Sequence, residues 1–126
     1  MLFRSRGEVP EPLRRAFRGR VFGCDVCQEV CPFNRGELPE GDARFAPRPL
    51  AGLSPVALAA LSPEEFQAQA AGMALARSQY DGLRRNALYA IGATRDRRAL
   101  AVVKTLTKDP SPVVRDAAAW ARDRLG

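Results

Sequence analysis

Apolar residues recur at helical spacing through most of the chain after residue 54, and the starts of the predicted helices are marked by capping residues. Ser54-Pro55 and Ser62-Pro63 each place a serine at N-cap and a proline at the first helical position. Ser62 with Glu65 reads as a capping box ahead of Phe66. Asp81, Asp96 and Ser111-Pro112 predict three more starts, opening helices over about 82–92, 97–107 and 112–124. Their apolar stripes are Leu83, Ala87, Ala90 and Ile91, then Leu100, Val103 and Leu106, then Val113, Ala117, Trp120 and Ala121. Trp120, on the last stripe, is expected to pack in the core. Earlier, Pro12 opens a short basic helix, Leu13 to Arg18, and Gly19 and Gly23 bracket the apolar pair Val21-Phe22. Residues Arg35 to Pro49 carry three prolines and two glycines, which predicts irregular chain. The fold class is therefore mainly α.

A repeat underlies the helical half. Leu83-Arg84-Arg85-Asn86-Ala87-Leu88-Tyr89 aligns with Val113-Val114-Arg115-Asp116-Ala117-Ala118-Ala119 at an offset of 30, matching apolar, Arg, Asx and Ala positions. A helical pair of this length cannot bury its apolar face alone and must stack on a neighbour. The pattern resembles HEAT-like repeats, with one complete pair at Asp96–Arg124 and the second helix of a preceding pair before it. So short an array is expected to cap a larger body.

Composition narrows the chemistry. The chain has 126 residues and no histidine, which excludes Ser-His-Asp and Cys-His catalysis and His-ligated zinc. No apolar run is long enough to cross a membrane, and the N-terminus lacks the apolar core of a secretory signal. The net charge of +6 is uneven: residues 1–20 carry +4 and residues 81–126 carry +5, around an acidic middle. A polyanionic partner is expected to meet the two ends; a positive surface that merely aids solubility is the bland alternative.

Cys24-x2-Cys27-x3-Cys31-Pro32 is the informative motif. In the two-cluster ferredoxin run C-x2-C-x2-C-x3-C-P the last cysteine ligates the other cluster. Here the second, third and fourth cysteines are present, and Val21 occupies the first position. Two intervening residues let a tight turn present both thiolates to one cubane, and Pro32 stops the turn behind Cys31. A disulfide with one free thiol is a weaker reading without a secretory signal. Zinc lacks a fourth ligand at a suitable spacing. A [4Fe–4S] cluster needs four cysteines, and the chain has three. The remaining ligands are expected from polypeptide upstream of Met1 in a longer protein, or from another chain.

The stretch Arg20-Val21-Phe22-Gly23-Cys24-Asp25-Val26-Cys27-Gln28-Glu29-Val30-Cys31-Pro32-Phe33-Asn34, followed by a HEAT-like tail, resembles the epoxyqueuosine reductase family. Arg77, Leu83-Arg84-Arg85-Asn86-Ala87 and the upstream Arg6-Gly7-Glu8-Val9-Pro10 also fit; the resemblance runs from about Arg4 to the C-terminus. Phe33 stands where that family commonly carries tryptophan, a change expected to preserve an aromatic contact.

The resemblance implies reduction of epoxyqueuosine to queuosine in tRNA, with two [4Fe–4S] clusters and a cobalamin bound by an upstream domain. It implies that Cys24 and Cys27 ligate the cluster farther from cobalamin and Cys31 the nearer one. It also implies that the helical tail docks the tRNA anticodon stem-loop, with Arg84, Arg85, Arg95, Arg97, Arg98, Lys104 and Lys108 as candidate contacts. A solvated face, partly paired to Asp96 or Asp116, is the structural alternative for each. The implied organisation is a partial ferredoxin-type domain over 1–48, a helical connector over 49–80 and a HEAT-like segment over 81–126, in a cytoplasmic protein that is monomeric when complete. An electron-transfer subunit of another reductase, or a non-enzymatic HEAT-type interaction module, remains as an alternative.

Overall fold

A computed structural model of the chain describes residues 5–36, 41, 43–47 and 49–126, with helices and no strand among them. Part of the irregular stretch expected at Arg35–Pro49 therefore lies outside the described residues, as does the upstream end of the resemblance at Arg4. Among the described residues seven α-helices run in order: α1 Glu11–Arg14, α2 Val26–Glu29, α3 Pro55–Ala60, α4 Pro63–Ala70, α5 Tyr80–Thr94, α6 Leu100–Leu106 and α7 Pro112–Leu125. Short 3-10 turns lie between them, notably Arg15–Phe17, Pro32–Asn34, Ala74–Ser78 and Arg97–Ala99.

The local starts follow from capping chemistry. Ser54 Oγ accepts from the Ala57 N–H at 3.2 Å. Ser62 and Glu65 exchange side-chain and backbone bonds at 3.1 and 2.9 Å, the reciprocal pattern of a capping box. Asp96 accepts from the Arg98 N–H, as expected, but opens a 3-10 turn before α6. One expected start is displaced, and one stands without its side-chain bond. α5 starts at Tyr80 behind Gln79, and Asp81 lies inside its first turn. Ser111 precedes α7 without a side-chain cap bond; its own N–H is donated to Asp109 Oδ1 at 3.0 Å. The basic helix expected at Leu13–Arg18 is a turn of α1 followed by 3-10 chain, ended by Arg18 and Gly19 at φ 46° and 85°.

α5 is the hub. α7 lies along one side of it, α3 on another, and the Arg15–Phe17 turn on a third. Close approach of α5 and α7 requires Gly92: a Cβ there would stand 2.8 Å from Trp120 Cε3 and 3.0 Å from the Ala121 Cα. Trp120 is partly buried against the core, edge-on to Tyr89 with ring centroids 5.6 Å apart. Buried side chains form one cluster from Val9 through Leu58 and Ala87 to Leu125, so the three expected segments share a core.

The larger departure lies inside α5. Residues 82–92 are all buried, including Arg84, Arg85 and Asn86, where one apolar stripe was expected. Arg84 is covered by α3 and the Asp109 turn, whereas for Arg85 and Asn86 the cause is the N-terminal segment, which returns across the polar face of the helix. Arg85 Nη1 donates to Ser5 O and Gly7 O at 2.7 and 2.6 Å, and Asn86 Nδ2 donates to Val21 O at 3.1 Å. Arg14 adds a second fastening: it donates to Val9 O at 2.7 Å, pairs with Asp116 at 2.9 Å and lies over the Tyr89 ring.

Candidate metal-binding segment and basic surface

The cysteine segment leaves this anchored body after Val21 and Phe22, both of which pack against the core. Gly23 at φ 74° turns the chain in a conformation that side chains disfavour. Asp25 O then accepts from the N–H groups of Gln28 and Glu29 at 2.8 and 2.9 Å, winding Cys27 into α2. α2 ends at Glu29 with Val30 as its C-cap, ahead of Cys31, which is extended, and Pro32 opens the 3-10 turn Pro32–Asn34 rather than ending the helix. Asn34 Nδ2 reaches back to Gln28 O at 3.0 Å and closes the loop on itself.

All three cysteines are free thiols; Cys24 and Cys27 are exposed and Cys31 is partly covered. Among the described residues no three Cys, Asp or Glu side chains converge as a metal set. Large apolar side chains around the thiols face outward: Val26 is 39%, Val30 63% and Phe33 92% exposed. The aromatic contact expected of Phe33 is therefore not made within the described chain. Beside the segment, Val21, Phe22 and Asp25 share an open cleft of about 500 Å³ with Leu50, Met73 and Leu75.

The seven candidate basic residues divide. Arg84 and Arg85 are turned inward, which corrects their expected placement on an RNA-facing surface. Arg84 donates to Ala59 O at 3.1 Å, pairs with the carboxylate of Asp109 at 2.5 Å and stacks over Tyr80. Arg85 is fully buried among carbonyls, and desolvation lowers its pKa from the ordinary arginine value. Arg95, Arg97, Arg98, Lys104 and Lys108 are exposed. Of these Arg98 is held by Asp96, through bonds of 2.8 and 2.9 Å.

Sequence reasoning missed two members of the basic surface. Arg124, over the Trp120 ring, has a pKa lowered by partial burial and then by the like charges of Arg95 and Arg15. Its Nε is buried without a hydrogen-bond partner among the described residues. Thus the N-terminal segment, the end of α5 and the end of α7 each bring an arginine to one region. The +4 and +5 ends of the chain hinted at this, but only folding brings them together.

A family model for HEAT repeats matches residues 68–126. Epoxyqueuosine reductase of Bacillus subtilis is 34% identical over 99% of this chain and 33% of that protein. The Pseudomonas aeruginosa enzyme is 38% identical over 96% and 34%. A solved epoxyqueuosine reductase, bound to an epoxyqueuosine-modified stem loop of tRNA-Tyr, superposes with a TM-score of 0.88 at 33% identity. That superposition covers 99% of this chain and 34% of the solved one. The chain belongs to the epoxyqueuosine reductase family. It spans about a third of the length of the epoxyqueuosine reductases it matches, and corresponds to their C-terminal region. No helix among the described residues is long and apolar enough to cross a membrane.

Proposed function

We propose that the chain provides iron–sulfur ligands and an RNA-docking scaffold for the reduction of epoxyqueuosine to queuosine in tRNA. The reading rests on one coincidence above all: sequence and backbone agree with epoxyqueuosine reductases over nearly the whole chain. The solved relative with a modified stem loop supports the anticodon stem-loop of tRNA as the partner. Residues 1–48 then belong to a ferredoxin-type domain, 49–80 connect, and 81–126 form the HEAT-like support of a cytoplasmic enzyme that is monomeric when complete.

Cys24 and Cys27 would hold one [4Fe–4S] cluster and Cys31 a second. The donor set fits in kind, since the thiols are free and face outward, and it is incomplete in number. Each cluster requires further thiolates from polypeptide outside this chain, and that polypeptide would also bind cobalamin. Bound clusters supply one-electron transfer. The chain's own contribution is to fix the thiol-bearing turn to a rigid body through Val21, and to offer Val26, Val30 and Phe33 as an apolar surround that excludes water once covered. Arg15, Arg95, Arg97, Lys104, Lys108 and Arg124 would meet RNA phosphates, with Arg98 contributing less because Asp96 neutralises it.

The test is anaerobic reconstitution with iron and sulfide in the presence of the remaining two-thirds of the Bacillus subtilis enzyme. Wild-type chain is expected to raise bound iron and to add a paramagnetic signal. Cys24→Ala and Cys31→Ala should each lose a different part of it. A colourless, iron-free mixture, or identical losses in both variants, overturns the ligand assignment.

A further inference from the structure

We propose that Arg6, Arg77 and Gln79 form a phosphate-binding notch that receives a phosphodiester of the RNA backbone. These three side chains and Ala76 line a cavity of about 380 Å³, separate from the cleft beside the cysteines. It lies at the start of α5, whereas Arg95 and Arg97 stand just past that helix's other end. Fifteen helical residues put the two places about 20 Å apart. The notch is thus a separate point of attachment, and its RNA source rests on the reading above.

What distinguishes this concavity is that two arginines without a carboxylate share it. Arg14, Arg84, Arg98 and Arg122 each meet a carboxylate, and Arg115 donates to the carbonyls of Asp109 and Pro110. Neither Arg6 nor Arg77 has a partner among the described residues, yet both line the same small space. Two guanidinium groups that share a concavity without a counter-charge repel each other, and an anion between them reverses the sign of that interaction. Their planar donor forks suit phosphate oxygens in particular.

The scaffold also holds the notch open. Buried Arg85 binds the carbonyls of Ser5 and Gly7, on either side of Arg6, and so fixes the backbone from which Arg6 projects. Opposite, the Ser78 hydroxyl donates to Leu75 O at 2.7 Å and stiffens the turn that carries Arg77. Gln79 is held at φ 60° and ψ 163°, a conformation disfavoured for a residue with a Cβ.

The experiment titrates the 126-residue chain with two probes: a labelled tRNA anticodon hairpin across a salt series, and inorganic phosphate followed by arginine Nε–H resonances. The proteins are wild type, Arg77→Ala, Arg77→Lys and the double variant Arg6→Ala/Arg77→Ala, each checked for an unchanged melting temperature. The double variant is expected to bind the hairpin about 10-fold more weakly, with a salt slope shallower by about 0.7–0.9 for each arginine–phosphate pair removed. Arg77→Lys keeps the slope and loses part of the affinity, because its charge remains and its fork does not. Hairpin binding with the same affinity and slope in the double variant overturns the notch and leaves the wider RNA reading standing. Phosphate shifts at Arg6 and Arg77 in a chain that ignores the hairpin support the anion site and overturn its RNA source. Silence with both probes overturns notch and RNA reading together.

Discussion

Arg85→Ala tests whether the polar row inside α5 is what holds the N-terminal segment in place. The wild-type guanidinium donates to Ser5 O, Gly7 O and Asn86 Oδ1. Removal leaves those acceptors without this donor and opens a void in the helix packing. A buried acceptor left unpaired costs about 1–3 kcal/mol, and the carbonyls of Ser5 and Gly7 regain some water because they lie near the surface. The expected loss is about 3–5 kcal/mol, out of a total near 5–15 kcal/mol for a domain. In urea this moves the unfolding midpoint down by about 2–3 M. Arg85→Lys retains a charge but not the fork, so it should fall between wild type and alanine, and it remains measurable if alanine unfolds. The local signature comes from native-state hydrogen exchange, in which amides of residues 5–21 should lose protection before those of α7. A midpoint within about 0.5 M of wild type, or protection lost evenly over the whole chain, would refute the fastening role.

Two further perturbations probe the same core from other sides. Gly92→Ala places a methyl against the Trp120 ring and the Ala121 backbone, so α5 and α7 must move apart or the indole must shift; it should cost about 1–3 kcal/mol and lower the melting midpoint by about 5–15 °C. Trp120 fluorescence reports it, and an unaltered melt would mean the helices do not approach so closely. Tyr89 donates to Asp116 Oδ2 at 2.9 Å, and burial, followed by that bond, pushes its pKa up to about 12. The unfolded chain titrates near 10 and gives up its proton first, so this contribution is intact below about pH 10. It is lost as pH rises through about 12, by about 2–3 kcal/mol. Tyr89→Phe should start less stable and decline less over that window in parallel urea titrations; equal declines would dismiss the linkage.

What was legible in the sequence was local. Ser54, Ser62 and Glu65 act within one helical turn of themselves, so their caps could be read from adjacent letters. The spacing of Cys24, Cys27 and Cys31 likewise defined a turn that does form, between Gly23 and Asn34. The inward placement of Arg84 and Arg85, expected on an RNA-facing surface, and of their neighbour Asn86 was hidden for the opposite reason. Their partners Asp109, Ser5, Gly7 and Val21 lie 25, 80, 78 and 65 residues away. Helical periodicity sees only a polar stripe and assigns it to solvent. The convergence of Arg15, Arg95 and Arg124, and the shared notch of Arg6 and Arg77, are hidden by the same distance along the chain.

Arg85 and Asn86 are also the link between the scaffold and the thiol-bearing turn. Asn86 Oδ1 accepts from Arg85 while its Nδ2 holds Val21 O, so the two buried side chains work as one unit. One end of that unit grips Ser5 and Gly7 beside Arg6; the other grips Val21, three residues before Cys24. Val9, Phe17 and Arg14 also hold the N-terminal segment to the body, but only the polar row reaches both Ser5–Gly7 and Val21. Burying a cation and an amide is costly, and here that cost is offset by bonds that set the position of the thiol-bearing turn and of Arg6 together. The same polar row thus ties the thiol-bearing turn and the backbone of Arg6 to a single helix, and substitutions inside it should disturb the proposed cluster site and the proposed phosphate notch together.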